Sequence, residues 1–293
     1  MQLLAANESA AETQFSAGTP VVDQAQQPSF LARNDFLIRR LHSLSGLIPV
    51  GAFMVLHLST NASVFVGEET FQTNVDLIHR LGRLLPLVEW TFIFLPMIFH
   101  AVIGFVIIGG AMPNSNQYRY TSNRRYTWQR ITGMIAFAFI LWHVLHMHGG
   151  SHNPAWLETM KNLDHAQFDP HRATSTAGVA LQGPFVTILY VIGVLSCVYH
   201  LANGLWTMGI TWGVWTSEKA QERASKVCTA FGVLLAAIAM TGLFSMRAAV
   251  DTPEKLEAVK ATEEKMLDHR REAGLMDEEH GSDEPEAEKE TEE

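Results

Sequence analysis

Residues 190–206 read YVIGVLSCVYHLANGLW, an apolar run with one histidine, His200, well inside it. A histidine deep in a membrane-spanning segment is costly unless it pairs with another group, so it is a functional candidate by default. Three further apolar runs repeat this arrangement. They are VLHLST with His57, MIFHAVIG with His100 and LWHVLH with His143. One interior histidine on each of four runs is the pattern that decides the predicted fold.

The apolar residues, 47% of a chain of 293, cluster in runs near the length that crosses ~30 Å of hydrocarbon. They predict an all-α membrane protein with five transmembrane helices in a bundle. The predicted helices cover about 42–61, 88–112, 128–147, 184–208 and 226–246. They make a membrane domain of residues 36–248, between a disordered polar N-terminal extension, 1–35, and an acidic C-terminal tail, 249–293.

The net charge of −9 belongs to the tail rather than to the membrane domain. Residues 251–293 hold 17 acidic and 6 basic side chains, whereas the first 250 residues have a small basic excess. A charged block of this kind is usually a solvated tail rather than a site, although its first half has a pattern that could be helical. We expect no nucleic-acid partner.

The basic residues near the ends of the predicted helices predict the orientation of the chain. Ten lie on one side of the membrane and four on the other before the tail, which places the N-terminus in the cytoplasm. Five crossings then place the C-terminus outside. The ten residues are Arg33, Arg39, Arg40, Arg119, Arg124, Arg125, Arg130, Lys219, Arg223 and Lys226.

Depth in the membrane decides which of the four histidines can meet. At the helical rise, His57 and His143 lie about 22 Å from the cytoplasmic ends of their helices. His100 and His200 lie about 18 and about 12 Å from theirs. The four histidines therefore form an outer pair, His57 with His143, and an inner pair, His100 with His200.

Each pair could clamp one planar metal macrocycle. Imidazole on both faces of a haem iron is the usual ligation of electron-transfer b-type cytochromes, so the pattern predicts two stacked b haems within the bundle. No CxxCH motif occurs, which excludes covalent c-type attachment. Zinc is disfavoured, because three or four ligands must converge at one depth. A proton relay in a transporter and four isolated core histidines stay open as alternatives.

Polar residues near the cytoplasmic helix ends are candidates for contacts with the propionates of the inner haem, which favour cationic and hydrogen-bonding partners. They are His42, Ser43, Trp128 and Arg130. A place among the lipid headgroups is the alternative for His42.

Glu89 and Trp90 are the candidates for a quinone site. They lie at the outer end of the second predicted helix, at a depth near the outer haem, where a carboxylate could exchange protons with a quinone. An interfacial carboxylate beside a tryptophan of the aromatic belt is the competing interpretation. His146 and His148 fall where the third helix leaves the membrane, and we expect both to be interfacial.

A family resemblance rests on four strings, RRLHSLSGLIPVGAF, FIFLPMIFHAVIG, QRITGMIAFAFILWH and GVLSCVYHLANGLW. In this order they resemble the di-haem cytochrome b membrane anchor of succinate dehydrogenase and fumarate reductase, of the type with a single five-helix anchor subunit. The resemblance covers about residues 36–246. It implies axial ligation by the outer and inner pairs, because the ligands of that family lie in these strings.

The resemblance further implies partners and a substrate. A flavoprotein that oxidises succinate and an iron-sulfur subunit would dock on the cytoplasmic face of a bacterial inner membrane. Electrons would pass through the two haems to a membrane quinone, commonly menaquinone. The chain encodes no flavin or iron-sulfur ligands, so it would be a non-flavin subunit that cannot turn over succinate alone. The alternatives are a quinol:fumarate reductase anchor that runs in reverse and another di-haem b anchor.

Overall fold

The computed structural model describes residues 33–110 and 121–274. The chain consists of two compact units, residues 1–38 and residues 39–293. The description below concerns the second unit, apart from the start of the first helix. Three predicted features lie wholly or largely outside the described residues. These are the disordered N-terminal extension, Arg119 in the loop after the second helix, and the Glu-rich end of the tail.

Five helices in the described residues are long and apolar enough to cross a membrane. They are Asp35–Phe65, Gly82–Gly109, Asn123–His148, Pro184–Thr211 and Glu218–Ala248, and we call them the first to fifth spans. All other regular structure in this part of the chain is helical too. The prediction of an all-α membrane protein with five transmembrane helices is confirmed.

Some spans are longer than the apolar runs that predict them. The fifth span begins at Glu218 rather than near residue 226, because the Ser217 side chain caps it by accepting a hydrogen bond from the Ala220 amide at 3.3 Å. The first span begins at Asp35 rather than near residue 42. Hydropathy marks the part of a helix that crosses hydrocarbon, whereas the hydrogen-bonded helix continues into polar surroundings.

Three spans are regular only in part. The first consists of helices Asp35–Leu47 and Val50–Ala62, separated at Pro49, whose nitrogen cannot donate a hydrogen bond. A π-helical turn occupies Trp90–Phe94 in the second span, and another occupies Val144–His148 in the third. Both π-helical turns lie at the same end of the bundle, and such turns are frequent at functional sites.

Small residues allow the first, third, fourth and fifth spans to approach closely. A Cβ at Gly193 would lie 2.1 Å from the ring of Phe139, and a Cβ at Gly242 would lie 3.0 Å from the backbone nitrogen of Ala62. Close packing of this kind holds helices together in lipid, where the hydrophobic effect does not act between them. The second span differs, because none of its most apolar window is buried within the protein.

Helices outside the membrane cover the end of the bundle where the first span ends. Glu68–His79, Ala173–Ala180 and Pro253–Glu272 pack together there, and we call them the polar cap. Another helix, Pro154–Lys161, follows the third span. The prediction that the charged block of the tail is solvated is wrong for residues 253–272, whereas their helical pattern is confirmed. Residues 253–272 form a helix with one buried side, because its Val259, Glu263 and Leu267 pack inside the cap.

Two buried side chains complete the first turn of the helix that begins at Ala173. Glu263, which is 1% exposed, accepts hydrogen bonds from the backbone amides of Thr174 and Ser175 at 2.8 and 3.0 Å. Gln72 accepts a hydrogen bond from the amide of Ala173 at 3.0 Å. First-turn amides have no partners within their own helix, so Glu263 and Gln72 satisfy three donors that would otherwise be buried alone.

An ion pair joins the same helices. The guanidinium of Arg270 donates to the carboxylate of Asp76, and the two side chains are 13% and 16% exposed. Gln72 donates to this carboxylate as well, at 2.9 Å. Removing one partner of a largely buried ion pair costs the protein much more stability than removing one partner of a surface pair, because the remaining group is left buried and unpaired.

We expect Glu263→Ala to destabilise the protein by about 1–3 kcal/mol, because two buried amides lose their acceptor. Thermal unfolding of the purified protein in detergent measures this change. Glu264→Ala is the matched control. The Glu264 side chain is 46% exposed and pairs with Arg172 on the surface, an interaction worth at most about 1 kcal/mol. Equal melting temperatures for the two variants would contradict the role assigned to Glu263.

Candidate functional site

Both predicted histidine pairs meet in the structure. The rings of His57 and His143 have centroids 5.9 Å apart and planes at 69°. The rings of His100 and His200 have centroids 6.1 Å apart and planes at 89°. The outer pair therefore joins the first and third spans, and the inner pair joins the second and fourth.

Backbone carbonyls orient the inner pair. Nδ1 of His100 lies 2.8 Å from the carbonyl oxygen of His42, and Nδ1 of His200 lies 3.0 Å from that of Gln129. A carbonyl only accepts, so Nδ1 carries the proton in both rings and the lone pair of the neutral ring is on Nε2. Histidines that ligate metals are usually held in this way, with the second ring nitrogen free for the metal.

Side chains surround the outer pair instead. Nδ1 of His143 lies 3.0 Å from the hydroxyl oxygen of Tyr190, and the ring of His57 stacks on Phe53 with centroids 5.5 Å apart. The amide of Asn61 donates to the carbonyl of His57 at 2.8 Å and approaches Nε2 of that ring only to 3.4 Å. A contact of this length is weak, so Nε2 of His57 keeps its lone pair for a stronger partner.

Two glycines provide the space that the inner histidines occupy. A Cβ on Gly46 would lie 2.3 Å from Cε1 of His100, and a Cβ on Gly133 would lie 2.8 Å from Cε1 of His200. Any larger residue would push the ring away, because non-bonded carbon atoms repel strongly well below about 3.5 Å. Since Gly46 is in the first span and Gly133 in the third, the spans that carry the outer pair also shape the inner one.

A chain of polar side chains ties the inner pair to the fifth span. Gln129 donates to the carbonyl of His200 at 3.1 Å and accepts from the amide of Asn203 at 2.7 Å. Arg125 donates to Asn203 and to Ser225, both at 2.8 Å. The sequence pattern did not single out Gln129 or Asn203, since an isolated amide in a helix end carries no recognisable signal. The network fixes the backbone that bears His200.

Two of the predicted propionate contacts lie close to the inner pair. The ring of His42 stacks on that of His100 with centroids 4.0 Å apart, and its carbonyl orients His100 as described. The hydroxyl of Ser43 accepts a hydrogen bond from the indole of Trp212 at 3.0 Å. Ser43 therefore has a side-chain partner, whereas Nδ1 of His42 is buried without a hydrogen-bond partner among the described residues and its ring touches a predicted ligand directly.

The other two residues predicted to contact a propionate are Arg130 and Trp128. Arg130 donates to the hydroxyl of Tyr126, and its guanidinium lies 4.2 Å from the centroid of that ring. Trp128 is 52% exposed. Neither residue contacts the inner pair, so a propionate role for them stays a prediction.

Glu89 of the second span lies between His148, at the end of the third span, and His152, four residues further along the chain. Its Oε2 is 2.8 Å from Nε2 of His152 and 3.6 Å from Nε2 of His148, and the three groups converge with the spacing of a metal site. However, the Gly150 amide donates to Nδ1 of His148 at 3.2 Å, which leaves the proton of the neutral ring on Nε2 and opposes coordination there. The cluster is thus a carboxylate held between imidazoles. Trp90, beside it, is 47% exposed.

His146 is buried, which corrects the prediction that it is interfacial. It is 7% exposed, its ring stacks on Trp142 with centroids 4.5 Å apart, and its Nδ1 lies 3.1 Å from the hydroxyl of Tyr190. The loop after the third span folds back over this turn, and the amide of Gln167 donates to the carbonyl of His146 at 2.9 Å. His148 is less enclosed, with 30% of its side chain exposed.

Comparisons with known proteins identify the family of the chain. Residues 113–241 match the family described as succinate dehydrogenase/fumarate reductase transmembrane subunit. The chain is also 33% identical over 211 residues to the succinate dehydrogenase cytochrome b558 subunit of Bacillus subtilis (strain 168). That alignment covers 72% of this chain and 96% of the relative. The chain belongs to this family.

Membership of the succinate dehydrogenase/fumarate reductase transmembrane subunit family confirms the broader part of the resemblance, to a membrane subunit of these enzymes. The matched segment contains His143 and His200 together with Gln129 and Tyr190, which orient them. Similarity to the relative extends further, since its alignment is longer than the matched segment. The chain is therefore a multi-pass membrane subunit of this family.

On the hypothesis that each pair holds one haem, Gly46→Ala should displace His100 and lower the haem content from two per chain towards one. The added methyl group overlaps the ring, and overpacking of this kind typically costs about 1–3 kcal/mol. A pyridine haemochrome assay of the purified protein measures the content. Gly109→Ala is the control, because a Cβ there meets nothing within 4 Å. Full haem content in Gly46→Ala would show that the inner ring does not need this space.

Proposed function

We propose that this chain is the membrane-anchor cytochrome b subunit of a succinate:quinone oxidoreductase. It would pass electrons from an iron-sulfur subunit through two b haems to a membrane quinone. The observation that carries the proposal is the convergence of four histidines from four spans into two pairs, 5.9 and 6.1 Å apart. The name of the Bacillus subtilis relative, a succinate dehydrogenase cytochrome b558 subunit, supports it.

The residues of both pairs fit a haem iron that is ligated on its two faces. Two imidazoles whose Nε2 atoms faced each other at these centroid distances would leave about 4 Å between the two nitrogens, the length of two metal–nitrogen bonds of about 2 Å each. His100 and His200 carry their lone pairs on Nε2, because Nδ1 is bonded to a carbonyl, and the amide of Gln129 approaches Nε2 of His200 only to 3.4 Å. Two imidazoles on one iron leave no open position, which suits electron transfer rather than oxygen chemistry.

Haem bound between these pairs supplies the one-electron couple that an electron-transfer subunit requires. The side chains of this protein would hold and shield it. The four histidines come from rigid helices, so their positions do not depend on mobile loops. The apolar faces of the spans exclude water, and the bonds to Nδ1 prevent the rings of His100, His143 and His200 from rotating.

The flavoprotein and iron-sulfur subunits are proposed to dock on the face where the third and fifth spans begin. Arg124, Lys219 and Arg223 are exposed there. Their positive charge supports a cytoplasmic location for this face and suits an acidic partner surface. In this orientation the N-terminus is cytoplasmic and the C-terminus lies outside the bacterial inner membrane.

Menaquinone is the proposed acceptor, because anchors with a single five-helix subunit commonly use it. A quinol:fumarate reductase anchor would use the same haem pairs in the reverse direction, and another di-haem b anchor would use them with other partners. Rates of succinate-dependent quinone reduction and of quinol-dependent fumarate reduction, measured on the purified complex, distinguish the two directions. Co-purification of a flavoprotein and an iron-sulfur protein distinguishes this assignment from other di-haem anchors.

Glu89 is proposed to exchange protons with the quinone. Its side chain is 16% exposed and contacts His152, which is 44% exposed, so a proton could pass between the outer aqueous phase and the carboxylate. Trp90 offers an exposed aromatic surface beside it. The interpretation as an interfacial carboxylate beside a belt tryptophan predicts no effect of Glu89 on quinone reduction.

The purified wild-type protein should show a b-type absorption spectrum with two haems per chain. His200→Ala should remove the inner haem and retain the outer one, which halves the haem content. His79→Ala is the control, because this histidine contacts the carbonyl of Val75 within the polar cap, and it should keep both haems. Two haems in His200→Ala would refute the pairing. A colourless wild-type preparation would favour a transporter or an anchor without cofactor.

Glu89→Gln should slow quinone reduction by the assembled complex about 100-fold, the lower end of what general acid–base groups contribute, because an amide does not exchange the proton. Reduction of the haems by succinate should persist. Glu158→Gln, at an exposed position in the helix Pro154–Lys161, should behave as wild type. Unchanged turnover in Glu89→Gln would remove this residue from the quinone site.

A further inference from the structure

Tyr190 of the fourth span places one hydroxyl group between two histidines of the third span. The hydroxyl oxygen lies 3.0 Å from Nδ1 of His143 and 3.1 Å from Nδ1 of His146. Tyr190 is 5% exposed and His146 is 7% exposed, so neither contact competes with water. A single hydroxyl therefore links the outer-pair ligand to a second, buried imidazole.

Elementary chemistry fixes the direction of both hydrogen bonds if His143 ligates iron through Nε2. A neutral imidazole carries one proton, so Nδ1 of His143 must donate to the oxygen of Tyr190. The hydroxyl proton of Tyr190 is then free to point the other way, and Nδ1 of His146 accepts it. The order of donation is His143 to Tyr190 to His146.

Packing holds the three rings in this order. The ring of Tyr190 meets Phe139 edge to face, with centroids 5.3 Å apart and planes at 85°. His146 stacks on Trp142 with planes at 14°. Gly193, one turn along from Tyr190, lets Phe139 approach the fourth span, since a Cβ there would lie 2.1 Å from that ring. These contacts leave the hydroxyl little freedom to turn away from His143.

The two haem sites differ in what orients their ligands. His100 and His200 donate to backbone carbonyls, which are neutral groups with fixed positions. His143 donates to a hydroxyl that is itself a donor to another imidazole, and hydrogen bonds in such a chain polarise and strengthen one another. Donation to His146 makes the oxygen of Tyr190 a better acceptor than an isolated hydroxyl, and a hydrogen bond accepted from Nδ1 makes the imidazole a more basic ligand.

We propose that Tyr190 and His146 are positioning residues that lower the redox potential of the outer haem by making His143 a more basic ligand. The inference rests on the proposed function, because it requires haem between His57 and His143. A more basic imidazole donates more electron density to iron and favours its oxidised form. Hydrogen bonding around an axial ligand is one of the established ways in which a protein tunes a haem.

The test is a spectroscopic redox titration of Tyr190→Phe. This variant keeps the ring packing and removes only the hydroxyl. The oxidised-to-reduced ratio of the outer haem at a fixed potential should fall about tenfold, which corresponds to a rise in its midpoint of ~59 mV for one electron. The electron paramagnetic resonance signal of the oxidised outer haem should shift with it. The inner haem serves as the internal control and should not change.

Two further variants sharpen the test. His146→Phe preserves the stack on Trp142 and removes the acceptor of the Tyr190 proton, so it should shift the outer haem in the same direction by a smaller factor. Tyr199→Phe removes a hydroxyl from the same span, at a residue that is 37% exposed, and should leave the outer haem unchanged. An unshifted outer haem in Tyr190→Phe, with both haems present, would overturn the proposal. Should Tyr190→Phe fail to fold, an unshifted outer haem in His146→Phe would overturn it instead.

The failure of this inference is distinguishable from failure of the proposed function. Wild-type protein with two haems and an unshifted Tyr190→Phe variant would refute only the role of Tyr190 and His146. Wild-type protein without haem would refute the proposed function itself, and the role of Tyr190 with it. Should Tyr190→Phe lose the outer haem alone, the potential of that haem in His146→Phe decides, and an unshifted value there would overturn the proposal.

Discussion

An imidazole in hydrocarbon must find a partner for its N–H group and for its lone pair, and the structure is arranged around this requirement. Four spans each bring one histidine into the bundle, and three of these rings are bonded through Nδ1 to another span. In lipid an unsatisfied polar group costs several kcal/mol, so each bond also fixes the positions of two helices. Ligand orientation and helix packing thus depend on the same contacts.

Three histidines with different partners lie at the end of the third span. Within six residues it presents His143 to the outer pair, His146 to Tyr190 and His148 to Glu89. The π-helical turn at Val144–His148 rotates these side chains relative to a regular helix and leaves carbonyls that need donors. Amides of residues 166–168 supply them, so the loop that leads to the polar cap also stabilises the outer site.

The polar cap shows why charged residues beyond the membrane need not be a solvated tail. Glu263 is buried because the helix beginning at Ala173 presents amides that require an acceptor. The helix Pro253–Glu272 therefore belongs to the fold, and it packs on the segment between the third and fourth spans. Charge composition alone cannot distinguish a buried cap from a solvated helix, since both are rich in Glu and Lys.

The sequence by itself determined the five spans and the depth of each histidine, because hydropathy and helical rise are local properties. Depth was sufficient to pair His57 with His143 and His100 with His200. It did not give the direction in which each side chain points or the neighbour it meets. Tyr190, Gln129 and Glu263 acquire their roles from residues 44 to 89 positions away, and contacts of that range arise only when the spans pack against one another.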